Sequence, residues 1–217
     1  MAGWIMLPAR AVLYPLLLLV SGSPFAQAPE KIPVVSEGGI RDRWMLAPGA
    51  TLPVPAYPKA YAANNAEVCL AIGYVLNADG TTSDFSLLKS WSADEPKFQR
   101  DEYWSTFAAD ASAALARWKF APRPDVTEPK PVYTVATFLF GATNATELRR
   151  KCAIPSLTTR LVELRYDAKA GRKMAFAGVF DRLDLDPGMV TRVDQQRRND
   201  AIAERQAIHR PPKPSKP

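Results

Sequence analysis

The chain has 217 residues, 47% of them hydrophobic, enough for one ordinary core with tail to spare. Its single histidine, His209, lies in a Pro-rich terminus, so a histidine base or a His-based metal site has no residue to start from. The net charge of +6 gathers at the end: from Ala145 onward 16 Lys/Arg stand against 9 Asp/Glu, a basic third suited to an anionic envelope surface, an acidic partner or plain solvation.

Residues 1–28 read as a secretion signal. Arg10 is the one charge, "AVLYPLLLLV" is the apolar run, and Ala26 and Ala28 supply an A-x-A pattern. The run is short for a membrane span of about 20 residues. Export with cleavage near Ala28 is therefore expected, with a retained membrane anchor as the alternative. Residues 29–52 carry many breakers and little periodicity and form an extended lead-in. Pro58 fits a first helical turn, and Tyr57 and Tyr61 lie four apart, which predicts a short helix.

Val68, Leu70, Ile72, Tyr74 and Leu76 alternate over nine positions, one apolar face of a strand. "NADG" is turn chemistry, with Asp79-Gly80 able to take positive φ. Phe85, Leu87 and Lys89 resume the alternation, completing a hairpin. A helix is expected from about Glu102 to Trp118, since Ala111, Ala114, Leu115 and Trp118 share one face. Phe120 follows, and Pro122, without an amide, turns the chain toward a third strand, "VYTVATFLF" at 132–140. The aromatic run Trp91, Phe98, Tyr103, Trp104 and Phe107 either lines a groove or packs a loop onto the core. Beyond Asn144, "TRLVELRY" and "KMAFAGVF" are read as two further strands, "VTRVDQQRRNDAIAERQAIHR" as a polar helix and "PPKPSKP" as disordered.

No P-loop, GxGxxG, GxSxG or HExxH pattern occurs, and Asp181, Asp184 and Asp186 do not match a calcium loop. The chain is thus expected to be no enzyme, with no catalytic residues, no cofactor and no metal. Asn144-Ala-Thr146 matches a glycosylation acceptor, a pattern short enough to arise by chance. Cys69 and Cys152 either pair, as an oxidising compartment allows, or stay as two buried thiols. Cys69 points to the face opposite Leu70 and Ile72. A Cys69–Cys152 bridge would therefore fold the C-terminal extension over the sheet face that the helices leave uncovered.

The order helix, strand, strand, helix, strand predicts a small α+β domain on an antiparallel sheet. These residues, from Tyr57-Pro58 through Asp79-Gly80 and the Ala-rich helix closing in Arg117-Trp118-Lys119-Phe120-x-Pro122 to Phe138, resemble the C-terminal domain of TonB, the energy transducer of Gram-negative bacteria. The resemblance spans about residues 53 to 141. It implies two helices packed on a three-stranded antiparallel sheet over 53–144, with Trp118 and Phe120 in the core; the basic extension at 145–217 lies outside the pattern. It also implies that a partner peptide adds along the edge of the last strand: Val132, Tyr133, Thr134, Val135, Thr137, Phe138 and Phe140, with Pro53 to Tyr57 alongside. The expected function is a periplasmic interaction protein for an outer-membrane receptor segment or another envelope protein, with no nucleic acid involved. The alternative is an anchored transducer for siderophore or vitamin uptake. N-terminal sequencing of the mature protein separates the two.

Overall fold

The computed structural model describes residues 30–94, 100–169 and 177–185, together with residues 188, 192, 195, 199 and 202. Residues 1–28, Phe98, His209 and the Pro-rich end, on which several expectations fall, lie outside the described residues. The fold is α+β. Strands β1 (Trp44–Leu46), β2 (Val68–Leu76) and β3 (Thr82–Ser92) precede helix α1 (Arg100–Leu115); β4 (Phe120–Pro122) and β5 (Val132–Phe140) follow, and then helices α2 (Ala145–Cys152), α3 (Leu157–Lys169) and α4 (Ala177–Phe180). The main sheet is three-stranded and antiparallel in the order β3-β2-β5, and β1 pairs separately with β4. No helix among the described residues is long and apolar enough to cross a membrane.

All nine residues of β2 are buried, because the sheet is covered on both sides. On one face Leu70, Ile72, Tyr74, Ala136, Phe138 and Phe140 pack under Tyr103, Phe107, Ala111 and Leu115 of α1. The α1 contacts recur at spacings of four, the apolar stripe expected of a helix lying on a sheet. On the other face Ala71, Val75, Leu88, Tyr133 and Val135 meet Leu157, Leu161, Val162 and Leu164 of α3, and Val179 and Phe180 of α4.

The hairpin turn closes as expected. The Gly80 N–H donates to Asn77 O at 2.9 Å, and Asp79 accepts the Thr81 N–H at 2.9 Å. Gly80 sits at φ 80°, and a Cβ there would stand 1.9 Å from the Phe120 carbonyl, so a side chain is excluded. In β3 the expected alternation holds for Phe85 and Leu87 but not for Lys89. A bulge opposite Ala71/Ile72 inserts Leu88 and flips the rest of the strand, so Lys89 reaches Ala153 O on the far face at 2.9 Å.

Three further expectations are corrected. The α-helix α1 stops at Leu115, short of Trp118, and Phe120–Pro122 is a strand paired with β1 rather than a turn. The helix predicted near Pro58 is a single 3₁₀ turn, Lys59–Tyr61. "TRLVELRY" is helical, as part of α3, and the described part of "KMAFAGVF" is the short helix α4; neither is a strand. Residues 192, 195, 199 and 202 are helical.

Trp118 and Phe120 consequently lie half-buried at the rim of the core rather than inside it. The Trp118 indole N–H donates to Pro53 O at 3.0 Å, and its ring meets Phe138 at 5.7 Å and Tyr74 at 6.4 Å between centroids. Replacing Trp118 by Ala should cost about 2–3 kcal/mol, below the range for a fully buried tryptophan. Trp118→Phe should recover most of that, since it forfeits mainly one hydrogen bond of about 1 kcal/mol. Urea midpoints of the two variants check both values.

The disulfide is present. Cys69 and Cys152 are bridged with Cα atoms 6.0 Å apart, and both are buried beside Leu148, with Trp91 and Leu139 against them. The bridge pins α2 to the face of β2 opposite α1, so the extension supplies a third layer. Asn144 N-caps α2, its side chain accepting the Glu147 N–H at 3.2 Å.

Candidate strand-addition edge

Strand β5 ends the three-stranded order, so one side of it faces away from β2. Tyr133 turns its main-chain groups to that side. Its carbonyl accepts the Val35 N–H and its own N–H donates to Pro33 O, each at 2.9 Å. The lead-in thus runs parallel to the start of β5, with Val34 opposite Tyr133. On the lead-in's far side Ile32 bonds in parallel to the chain at Leu183. The Ile32 N–H donates to Arg182 O at 2.7 Å, and the Asp184 N–H donates to Ile32 O at 2.8 Å. Two single-residue parallel bridges therefore extend the pairing past β5, one to Val34 and one from Ile32 to Leu183.

Strand periodicity turns the main-chain groups of Val135, Thr137 and Leu139 outward as well. At Thr137 the N–H donates to Glu37 Oε1 at 3.0 Å and the hydroxyl to Oε2 at 2.9 Å. Arg149 of α2 donates to the same Oε1 at 3.2 Å. The Thr134 hydroxyl reaches Ser36 O at 3.4 Å. The outward groups of Val135 and Leu139 take no hydrogen bond from any described residue.

The sequence-predicted residues divide by face. Val132, Phe138 and Phe140 pack under α1, while Tyr133 and Val135 pack toward α3. Thr134 is buried, and Thr137 is the half-exposed member at the rim. What β5 offers outward is therefore backbone, plus the Thr137 side chain. Tyr57 lies against Phe140, 6.1 Å between ring centroids, and its hydroxyl donates to Ala66 O. Pro53 sits with Trp118 instead, and the segment alongside the β5 edge is Pro33–Glu37. Sequence reasoning missed that segment, although its β-branched Ile32, Val34 and Val35 between breakers are a short-strand signal.

The aromatic run does not form one groove. Tyr103 and Phe107 are buried and Trp104 is half-buried in the α1 cluster, whereas Trp91 lies on the opposite face with Lys151 5.2 Å above its ring. An open cleft of about 870 Å³ flanks the lead-in, lined by Val35, Arg43, Trp44, Asp125, Glu128 and Lys130. Its charges are of both signs and select no one ligand. Among the described residues no group of three or more His, Cys, Asp or Glu side chains could hold a metal ion.

Two electrostatic features bear on the edge. The Tyr133 hydroxyl is buried, and burial pushes the phenol well above its ordinary pKa, opposed only by the nearby Ser86 side chain. Glu67, just before β2, accepts the Thr143 hydroxyl at 2.7 Å and the Thr143 N–H at 2.8 Å, and these bonds hold its carboxyl below the usual value. A lowered folded-state pKa stabilises above the unfolded carboxylate value of about 4.3 and is lost as pH falls through the folded one. The unchanged protein should therefore lose stability on acidification from pH 6 toward 3 more steeply than Glu67→Gln, as urea midpoints across that range would show.

No family model matches the chain, and no curated protein matches it. Among solved structures it is similar to the C-terminal domain of TonB from Pseudomonas aeruginosa, determined by solution NMR. The identity is 19%, the match covers 51% of this chain and 95% of that one, and the TM-score is 0.36.

Proposed function

We propose that the chain is an exported, non-enzymatic interaction protein that takes up an extended segment of an envelope partner by strand addition at β5. The observation that carries this reading is the outward backbone of β5. Val135 and Leu139 offer donors and acceptors that no described residue uses, and the same edge already accepts an extended segment at Tyr133. Each added main-chain hydrogen bond is worth about 0.5–1.5 kcal/mol net, so four or five contribute about 2–7 kcal/mol, and side-chain contacts must add to them to offset the cost of association. The ordered motif from Tyr57 to Phe138 supports the same reading through the family it resembles. A receptor segment of the outer membrane, or of another envelope protein, is the partner class.

The test uses extended peptides selected from a displayed random library, with Thr137→Pro as the probe of the edge. Proline removes the outward amide of Thr137 and leaves the pairing of Ala136 and Phe138 with β2, which an edge strand tolerates. Selected peptides should shift the amide resonances of Val135 to Leu139, and Thr137→Pro should weaken them at least tenfold. Binding that maps elsewhere, or that Thr137→Pro leaves unchanged, would overturn the proposal.

A further inference from the structure

We infer that Ile32–Glu37 is a built-in competitor for the β5 edge, and that the partner strand it stands in for runs parallel to β5 and carries a carboxylate where Glu37 sits. The inference rests on the strand-addition reading above and specifies the partner's chemistry.

Three features of the lead-in mark it as a displaceable occupant rather than a permanent strand. It shares only two main-chain to main-chain hydrogen bonds with β5, through Val35 N–H and Pro33 O, plus a long one of 3.4 Å from the Thr134 hydroxyl to Ser36 O, whereas β2 pairs with β5 over all nine residues. Pro33 has no amide with which to extend the ladder. Ser36 and Glu37 are exposed, and Val34 and Val35 are half-buried, so only Ile32 is fully committed to the core.

The carboxylate position is built by groups the lead-in does not own. Thr137 aims both its amide and its hydroxyl outward at the Glu37 carboxylate, and Arg149 adds a guanidinium from α2. Three donors converging on one carboxylate form a charge-assisted clip. The Arg149–Glu37 pair is exposed, with side-chain exposures of 53% and 42%, which makes it weak enough to exchange. An incoming strand with an Asp or Glu at this position would reuse the clip and the two bonds at Tyr133. Between those two points it would take up the outward groups of Val135, and beyond them those of Leu139. The tether through Gly38 keeps the internal segment at high effective concentration, so a free peptide must outcompete it.

The experiment uses the full-length chain and a synthetic peptide with the sequence of Glu30 to Gly38, added in trans. Two chains are compared: the unchanged protein and Val35→Pro/Glu37→Ala, which loses the lead-in's amide bond and its carboxylate. The double variant should bind the peptide at least tenfold more tightly, with amide shifts from Tyr133 to Leu139. A peptide with Gln in place of the glutamate that corresponds to Glu37, its Glu30 kept, should bind about tenfold more weakly. On a chain that also carries Arg149→Ala, the Glu and Gln peptides should bind much more nearly alike. Glu37→Ala alone provides the same comparison, with a smaller gain, should the proline variant fail to fold. Equal affinity for the unchanged and altered chains, or no discrimination between Glu and Gln, overturns the inference. Library-selected peptides that still bind at β5 in that case leave the strand-addition reading standing, whereas loss of both kinds of binding removes both.

Discussion

Replacing Cys69 and Cys152 together by alanine is expected to destabilise the protein by about 4–5 kcal/mol, the largest effect of any pair of side chains here. The chain-entropy estimate follows from the sequence separation of 83 between the two cysteines. Few native contacts within that loop are needed for the argument, because the constraint acts mainly on the unfolded chain. Both sulfurs are fully buried beside Leu148, so alanine also forfeits their packing. For a domain of this size the midpoint should fall by roughly 10–20 °C. Thermal unfolding under oxidising conditions measures it, and the unchanged protein with its disulfide reduced should melt near the double variant. A fall of only a few degrees would mean that the α2–sheet interface holds the extension without the bridge. The single variant Cys152→Ala should behave similarly while freeing Cys69 for alkylation only on unfolding, since that thiol would remain buried under α2.

The pairing is legible where the expected export and the strand phase point the same way. An exported chain permits a disulfide, and the alternation of Val68 to Leu76 put Cys69 on the face opposite Leu70. The same stretch held a second message. Cys69, Ala71, Gly73 and Val75 are apolar too, and a strand apolar at every position is buried on both faces. That pattern called for a second covering layer, which α2, α3 and α4 supply. Residues 159–166 alone do not show that α3 is a helix. Including Leu157 restores a helical series of Leu157, Leu161 and Leu164, and Pro155-Ser156 just before it is a start signal, with Ser156 Oγ accepting the Thr159 N–H at 3.2 Å. The edge was legible only in part. Periodicity identifies β5 as a strand, but which of its neighbours lies outermost depends on contacts about 100 residues apart, such as Thr137 with Glu37. Local pattern carries no record of such pairings. The family resemblance placed a partner at that edge, and the structure puts a segment of the same chain there.

Phe107→Ala is expected to cost about 3–5 kcal/mol, the largest effect of any single large-to-small change on the α1 face. Phe107 is fully buried at the middle of α1 and touches four rings. It stands edge-on to Tyr57 at 5.3 Å and to Phe140 at 5.0 Å, is stacked with Tyr61 at 5.8 Å, and is tilted against Tyr103 at 4.9 Å. These partners come from the segment before β2, from α1 itself and from the end of β5, so one ring joins three parts of the chain. Its loss would leave a cavity that rigid aromatic neighbours fill poorly, and each edge-to-face pair adds roughly 0.5–1.5 kcal/mol beyond area burial. Phe107→Leu should recover about half, by restoring volume without the ring geometry. The consequence for function is specific. Phe140 ends β5, so a loosened Phe107 site should weaken peptide binding near Leu139 more than the contacts at Tyr133. Urea denaturation gives the stability, and amide shifts along β5 give the local effect. A cost below about 1 kcal/mol would show that the aromatic cluster closes around the gap, and that α1 is held to the sheet mainly by Leu115 and the small face of Ala111 and Ala114.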